Sequence, residues 1–205
     1  MTTQMAYRSS LRRLATLVIF ASTGITAGCG DGSFDPRIVP TRVPAELNIL
    51  QLPAVPTLVN DSVGFWAVRG KDRSVEIFYA DSLGQPADRL LSFEVADNGL
   101  EKYPDGSKFE GNDSVFISIR VTNPATLAFD FAPSGLRFKK DHPAKITVGY
   151  GRATNAATGD TVSAFGIWMQ EQANGSYIML KSRIHAAQQE VEADVPGFSR
   201  YAVAF

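Results

Sequence analysis

The sequence predicts an all-β protein, an antiparallel β-sandwich of about eight to ten strands. Three observations carry this. Beyond Asn60 the apolar residues recur with period two, so successive side chains point to opposite faces and one face of each run is apolar. The runs are short and are separated by Gly, Pro, Asn and Asp clusters. No stretch of that region sustains a helical period.

The clearest alternations are Val115/Ile117/Ile119/Val121, Leu127/Phe129/Phe131, Ile146/Val148/Tyr150, Val191/Ala193/Val195 and Tyr201/Val203/Phe205. Further strands are expected at about 63–70, 75–80, 90–96, 165–172 and 176–185. Gly70-Lys71-Asp72-Arg73, Asp97-Asn98-Gly99, Pro104-Asp105-Gly106-Ser107, Asn123-Pro124, Ala132-Pro133-Ser134-Gly135 and Asn174-Gly175-Ser176 supply the turns. Ile184, Ala187, Gln188 and Val191 also fit a helical face, but the alternation that follows favours a turn and a strand. Asn-Asp-Ser-Val occurs twice, at Asn60–Val63 and Asn112–Val115, each time before an apolar run. This is read as turn-to-strand chemistry used twice, and the N-x-S matches at Asn60, Asn112 and Asn174 as chance.

The first 28 residues read differently. Arg8, Arg12 and Arg13 precede the apolar run from Leu14, no acid is present, and small residues lead to the only cysteine, Cys29. This is the layout of a secretory signal peptide. Its exit, Ile25-Thr26-Ala27-Gly28-Cys29, resembles a bacterial lipobox. That resemblance implies cleavage before Cys29, lipidation of Cys29 and membrane attachment through the lipid. Gly30 rather than Asp after Cys29 then favours the outer membrane of a two-membrane cell, so the expected location is exported and membrane-anchored, on the periplasmic side or the cell surface.

Cleavage there leaves 177 residues of the 205, and the net charge goes from −1 to near −4 as three Arg depart. That balance gives no electrostatic reason to seek nucleic acid. With one cysteine, an intrachain disulfide is excluded, so an apolar core must hold the domain; thirteen Phe, six Tyr and two Trp supply it. Residues 29–46 read as a proline-rich flexible tether, since Pro36, Pro40 and Pro44 fix φ and remove amide donors. The sandwich is expected over 47–205, with Asn48–Leu52 as a candidate first strand.

Within it, Tyr103–Tyr150 resembles the ZU-five domain, a β-sandwich of ankyrins, netrin receptors, tight-junction scaffolds and bacterial exported proteins. The matching pieces are Pro104-Asp105-Gly106-Ser107, Pro133-Ser134-Gly135-Leu136-Arg137-Phe138, Pro143 with the strand Lys145–Tyr150, and the ending Gly197–Val203. The resemblance covers about 100–205 and implies a ZU-five-like, immunoglobulin-like architecture and a non-catalytic interaction or scaffold role. Some relatives cut their own chain in a His-Phe-Ser sequence near this end. Here the place reads Gly197-Phe198-Ser199, so the base is missing and Phe198–Ser199 is expected to stay intact.

No constellation for catalysis stands out. The two histidines, His142 and His185, lie in a charged loop and near a strand end, and no Ser sits in G-x-S-x-G. Asp105, Glu110 and Asp113 do not follow a calcium-loop spacing, and no Cys/His cluster fits zinc. Glu94 with Glu101, or Glu171 with Glu190, would form a glycosidase pair only if folded together. No metal or cofactor is expected. Two tryptophans remain. In Phe165–Gln170, Trp168 points away from Phe165, Ile167 and Met169, and Trp66 sits beside Phe65. Each is a candidate binding platform if its face is open; the alternative covers both with the second sheet or with loops. The reading is a lipid-anchored envelope module, not an enzyme, that binds an envelope protein or glycan. The alternative is an exported carbohydrate-active or peptide-processing enzyme, which a pocket with converging carboxylates would favour.

Overall fold

The computed structural model describes residues 41–154, 165–172 and 175–205. Cys29, the leader, the tether up to residue 40 and Asn174 lie outside the described residues. The chain is all-β: β1 (Thr41–Arg42), β2 (Ser62–Val68), β3 (Arg73–Ala80), β4 (Pro86–Val95), β5 (Leu100–Lys102), β6 (Ser114–Val121), β7 (Ala128–Ala132), β8 (Arg137–Phe138), β9 (Ala144–Gly149), β10 (Gly166–Gln170), β11 (Tyr177–Met179), β12 (Ser182–His185), β13 (Glu190–Val195) and β14 (Arg200–Ala204). Ten of these strands have four or more residues, and β1, β5, β8 and β11 are the two- and three-residue additions to the expected eight to ten.

Seven strands form one sheet in the order β1-β11-β10-β14-β7-β6-β2, and five form the other in the order β12-β13-β9-β4-β3. The short β5–β8 pair stands apart. Every described ladder is antiparallel. The alternation fixes which face is buried. In β6, Val115, Ile117, Ile119 and Val121 are buried while Phe116 and Arg120 are exposed. β9 and β13 do the same from the other sheet, burying Ile146, Val148, Val191, Ala193 and Val195 completely. Burying one face of each sheet against the other is what makes two layers stable together.

An aromatic cluster joins the layers. Phe93 of β4 meets Phe131 of β7 edge to face at 5.2 Å, and Phe198 lies 5.5 Å from Phe93 and 5.4 Å from Phe131. Phe138 of β8 and Tyr201 of β14 complete it. β4 carries a bulge: Ile77 pairs with Leu91 but Phe78 with Arg89, so Leu90 is the extra residue. Leu90 and Leu91 are consequently both buried, which strict alternation does not allow.

The repeated Asn-Asp-Ser-Val opens β2 at Ser62 and β6 at Ser114, and these two strands pair with each other. The Asp61 carbonyl accepts from Val121 N–H and the Asp113 carbonyl from Arg69 N–H, each 2.9 Å, so the motif closes each end of the β2–β6 ladder in the same way.

Two boundaries differ from expectation. Thr41 and Arg42, expected in the tether, pair with Ile178 and Tyr177, and Pro44–Glu46 forms a 3-10 turn. A flexible tether over 29–46 therefore does not extend to Thr41–Glu46. The segment 48–52 is not a ladder strand but is pinned at several points: Leu50 N–H donates to Val203 O at 2.8 Å, Leu127 N–H to Leu50 O at 3.0 Å, and Leu50 is fully buried. The second difference is 176–185, read as one strand. The chain leaves the seven-stranded sheet after Met179 and enters the five-stranded sheet at Ser182. Ser182 holds the crossing, since its hydroxyl accepts from Ile167 N–H at 2.9 Å and donates to Leu180 O at 3.1 Å.

Candidate functional site

The outer faces of the two sheets differ in chemistry. On the five-stranded sheet several outward residues are charged and paired with one another. Arg89 reaches Glu76 at 2.9 Å and Glu190 at 2.7 Å, and Arg183 binds Glu192 and Asp194. Exposed pairs of this kind add little stability and leave a solvated face.

The outer face of the seven-stranded sheet is divided. Around β10, β14 and β7 it is covered: Trp168, Ala128, Ala202, Ala204 and Tyr177 pack with Leu47, and Ile49 rests against them. Trp168 is only 3% exposed and its indole N–H donates to Ala204 O at 3.0 Å. The expectation of Trp168 as an open platform is therefore corrected. The alternation puts it on the outer face, but residues 47–49 fold back over that face and shield it.

Around β6 and β2 the same face is open. Trp66 is 61% exposed and Phe116 49%. They are register partners across the β2–β6 ladder, and their rings meet edge to face with centroids 5.5 Å apart. Gly64 makes room for this, since a Cβ there would lie 2.6 Å from Phe116 Cζ. Ser118 pairs with Gly64, so small residues flank the rings. The rings border a cleft of about 470 Å³ that Lys71, Asp72 and Arg73 also line. Sequence reasoning finds Trp66 and misses Phe116, although an aromatic residue between Ser114, Ser118 and Arg120 on the polar side of β6 is the available signal.

Phe198 and Ser199 lie in an ordered segment leading into β14. The Phe198 ring is in the aromatic cluster, its N–H donates to Leu136 O at 2.8 Å and its carbonyl accepts from Gly135 N–H at 3.1 Å. The Ser199 hydroxyl is buried and has no hydrogen-bond partner among the described residues. The histidines are engaged elsewhere: His142 Nδ1 is 3.3 Å from Asp141, and His185 Nε2 is 3.8 Å from Glu192. Among the described residues no base reaches Ser199, and a serine hydroxyl without one is a weak nucleophile.

The carboxylate pairs do not converge. Glu171 binds Arg137 at 3.1 Å, whereas Glu190 lies on the other sheet with Arg89. Glu94 lines a cleft with Asp72, Arg73 and Lys145; Glu101 lines a different one with Phe138 and Leu180. Asp105 is used within its turn, accepting from the Ser107 hydroxyl at 2.6 Å and amide at 2.9 Å, which holds its carboxyl below the usual range. Asp113 accepts from Glu110 N–H at 2.8 Å.

Burial raises several tyrosines, Tyr79 and Tyr201 most strongly. Tyr79 is pushed up to about 12, with Arg152 over its ring at 4.3 Å pulling the other way. Tyr201, whose hydroxyl donates to Gly197 O, is also raised by burial. Below pH 10 both states of the chain keep these protons and stability is unaffected. Above pH 10 the unfolded chain ionises first, so it binds fewer protons and stability falls as pH rises. Tyr79 alone is expected to cost about 2 kcal/mol by pH 12. Thermal melts from pH 9 to 12 should show this slope, and Tyr79→Phe should make it shallower, the remainder coming from Tyr201 and the other raised tyrosines; parallel slopes in both proteins would contradict the assignment.

The fold and this surface define an all-β antiparallel sandwich with one open aromatic pair among the described residues. Compared with family models, curated proteins and solved structures, the chain gives no match.

Proposed function

We propose that this chain is an exported, lipid-anchored cell-envelope protein whose sandwich is a non-catalytic, ZU-five-like binding module. Trp66 and Phe116 are its contact surface, and its partner is an envelope component. The observation that carries the reading is the exposure of that ring pair side by side on neighbouring strands, whereas the other exposed large apolar residues, Val43, Val55 and Leu83, lie in connecting segments. Exposed aromatic residues cost solvation in a monomer and are the residue types that dominate recognition surfaces. The sequence order of Arg8–Arg13, apolar run and Cys29 supports the anchor.

Two variants of the full chain test the two halves. Cys29→Ala should accumulate as uncut precursor or leave the detergent phase; partitioning like the wild type would remove the anchor. Trp66→Ala should keep its melting temperature, because an exposed side chain away from the core shifts stability by only about 0.5 kcal/mol. It should also lose most capture of envelope material, and unchanged capture would remove the platform.

A further inference from the structure

We infer that the Trp66–Phe116 cleft takes an acidic glycan, a chain of sugars carrying carboxylates; this rests on the platform reading above. The cleft joins two chemistries. Its apolar wall is the ring pair, with the Phe116 ring lying over Gly64. Its polar wall is the β2–β3 turn, where Lys71 and Arg73 make no ion pair among the described residues. Arg89, Arg120, Arg183 and Arg200 on the two sheets are, by contrast, paired with carboxylates. The single acid in the cleft, Asp72, is turned to the Asp97 amide, which donates to it at 2.7 Å. The cleft therefore holds an unmatched positive charge on a chain whose net charge is −1.

Charge complementarity calls for a negatively charged ligand. Exposed rings call for a ligand with broad apolar faces. A sugar ring has such faces and hydroxyls at its rim, and a uronate adds the carboxylate. An acidic peptide would match the cations, but its narrow carboxylate side chains would leave the two exposed rings uncovered, whereas the face of a sugar ring covers them. The volume of about 470 Å³ lies within the range of small-ligand sites.

The test titrates the full chain, purified in non-ionic detergent, with an oligogalacturonate, its fully methyl-esterified form, and a poly-glutamate peptide of equal charge. Trp66 emission reports occupancy, because the other tryptophan is buried; calorimetry serves for Trp66→Ala. The acid form should bind saturably. Binding should weaken at least tenfold in Trp66→Ala and in the Lys71→Ala/Arg73→Ala double variant, and should weaken with salt. Equal binding of the methyl ester would overturn the charge argument while leaving the platform standing. Equal binding of poly-glutamate would overturn the glycan in favour of a peptide. No binding of any probe would overturn the inference, and Trp66-dependent envelope capture would then decide the platform reading separately. Gly64→Val, which pushes the Phe116 ring aside without entering the core, should reproduce the loss of binding in a folded protein; full binding by that variant counts against the site.

Discussion

Phe93→Ala is expected to destabilise the sandwich by about 3–5 kcal/mol. Phe93 is completely buried in β4 of the five-stranded sheet, and its ring touches Phe131 of the opposite sheet, Phe138 of the β5–β8 pair and Phe198 ahead of β14. Truncation removes the transfer energy of one ring and opens a cavity that these neighbours cannot close, since Phe131 is also held by Tyr201 and Phe198 by Phe138. At about 2–4 °C per kcal/mol for a domain of this size, the melting temperature should fall by roughly 6–20 °C. Phe116→Ala, on the open face, is the matched control and should stay within about 0.5 kcal/mol of wild type. A loss below about 1 kcal/mol for Phe93→Ala would mean that the cluster does not join the layers as described.

Gly197→His should weaken the fold and should not create self-cleavage. A Cβ at Gly197 would lie 2.6 Å from Leu136 O and 2.9 Å from Arg137 Cδ. Leu136 O cannot retreat, because it accepts the Phe198 N–H and lies next to the Arg137–Gly197 bridge. Overpacking against fixed backbone costs about 1–3 kcal/mol before the ring of the new side chain is placed. Intact mass spectrometry should give one full-length species for the wild type and no species ending at Phe198 for the variant. A stable, folded Gly197→His protein that releases Ser199–Phe205 would show that the segment retains the strain of a cleavage site and lacks only its base.

Much of this fold can be read from local pattern, because each long strand has one buried face. The alternations in β6, β9 and β13 each bury one face as the sequence predicts, and the ambiguity at Ile184, Ala187, Gln188 and Val191 resolves to a turn between two strands. What local pattern misses depends on distant residues. Trp168 falls on the expected side of β10, but its burial comes from Leu47 and Ile49, next to prolines that read as tether. The switch of sheets between Met179 and Ser182 carries no Gly or Pro, and Ser182 acts through a backbone group of Ile167. β5 and β8 are too short for any period to register. For the candidate site, Trp66 is visible as an unusual residue, while its pairing with Phe116 and the nearness of Lys71 and Arg73 follow only from the register of β2 with β6 and the turn into β3.

The strand order has a mechanical consequence. β1 and β2 are the two outermost strands of the seven-stranded sheet, so six inter-strand steps of about 4.8 Å, roughly 29 Å, separate the point where the chain joins the sheet from the strand bearing Trp66. A pull between residue 41 and a ligand held at Trp66 runs across the strands, along the hydrogen bonds, so the ladders open in succession like a zip. The first ladder in that series has only two residue pairs, between β1 and β11, as few as any in the sheet. Tension therefore peels Thr41 and Arg42 and lengthens the chain, until it meets the pinned segment at Leu50, where Val203 and Leu127 grip the backbone from both sides. The sheet yields where the chain arrives, while the ladder that shapes the aromatic cleft, with seven residue pairs, is the longest in the series.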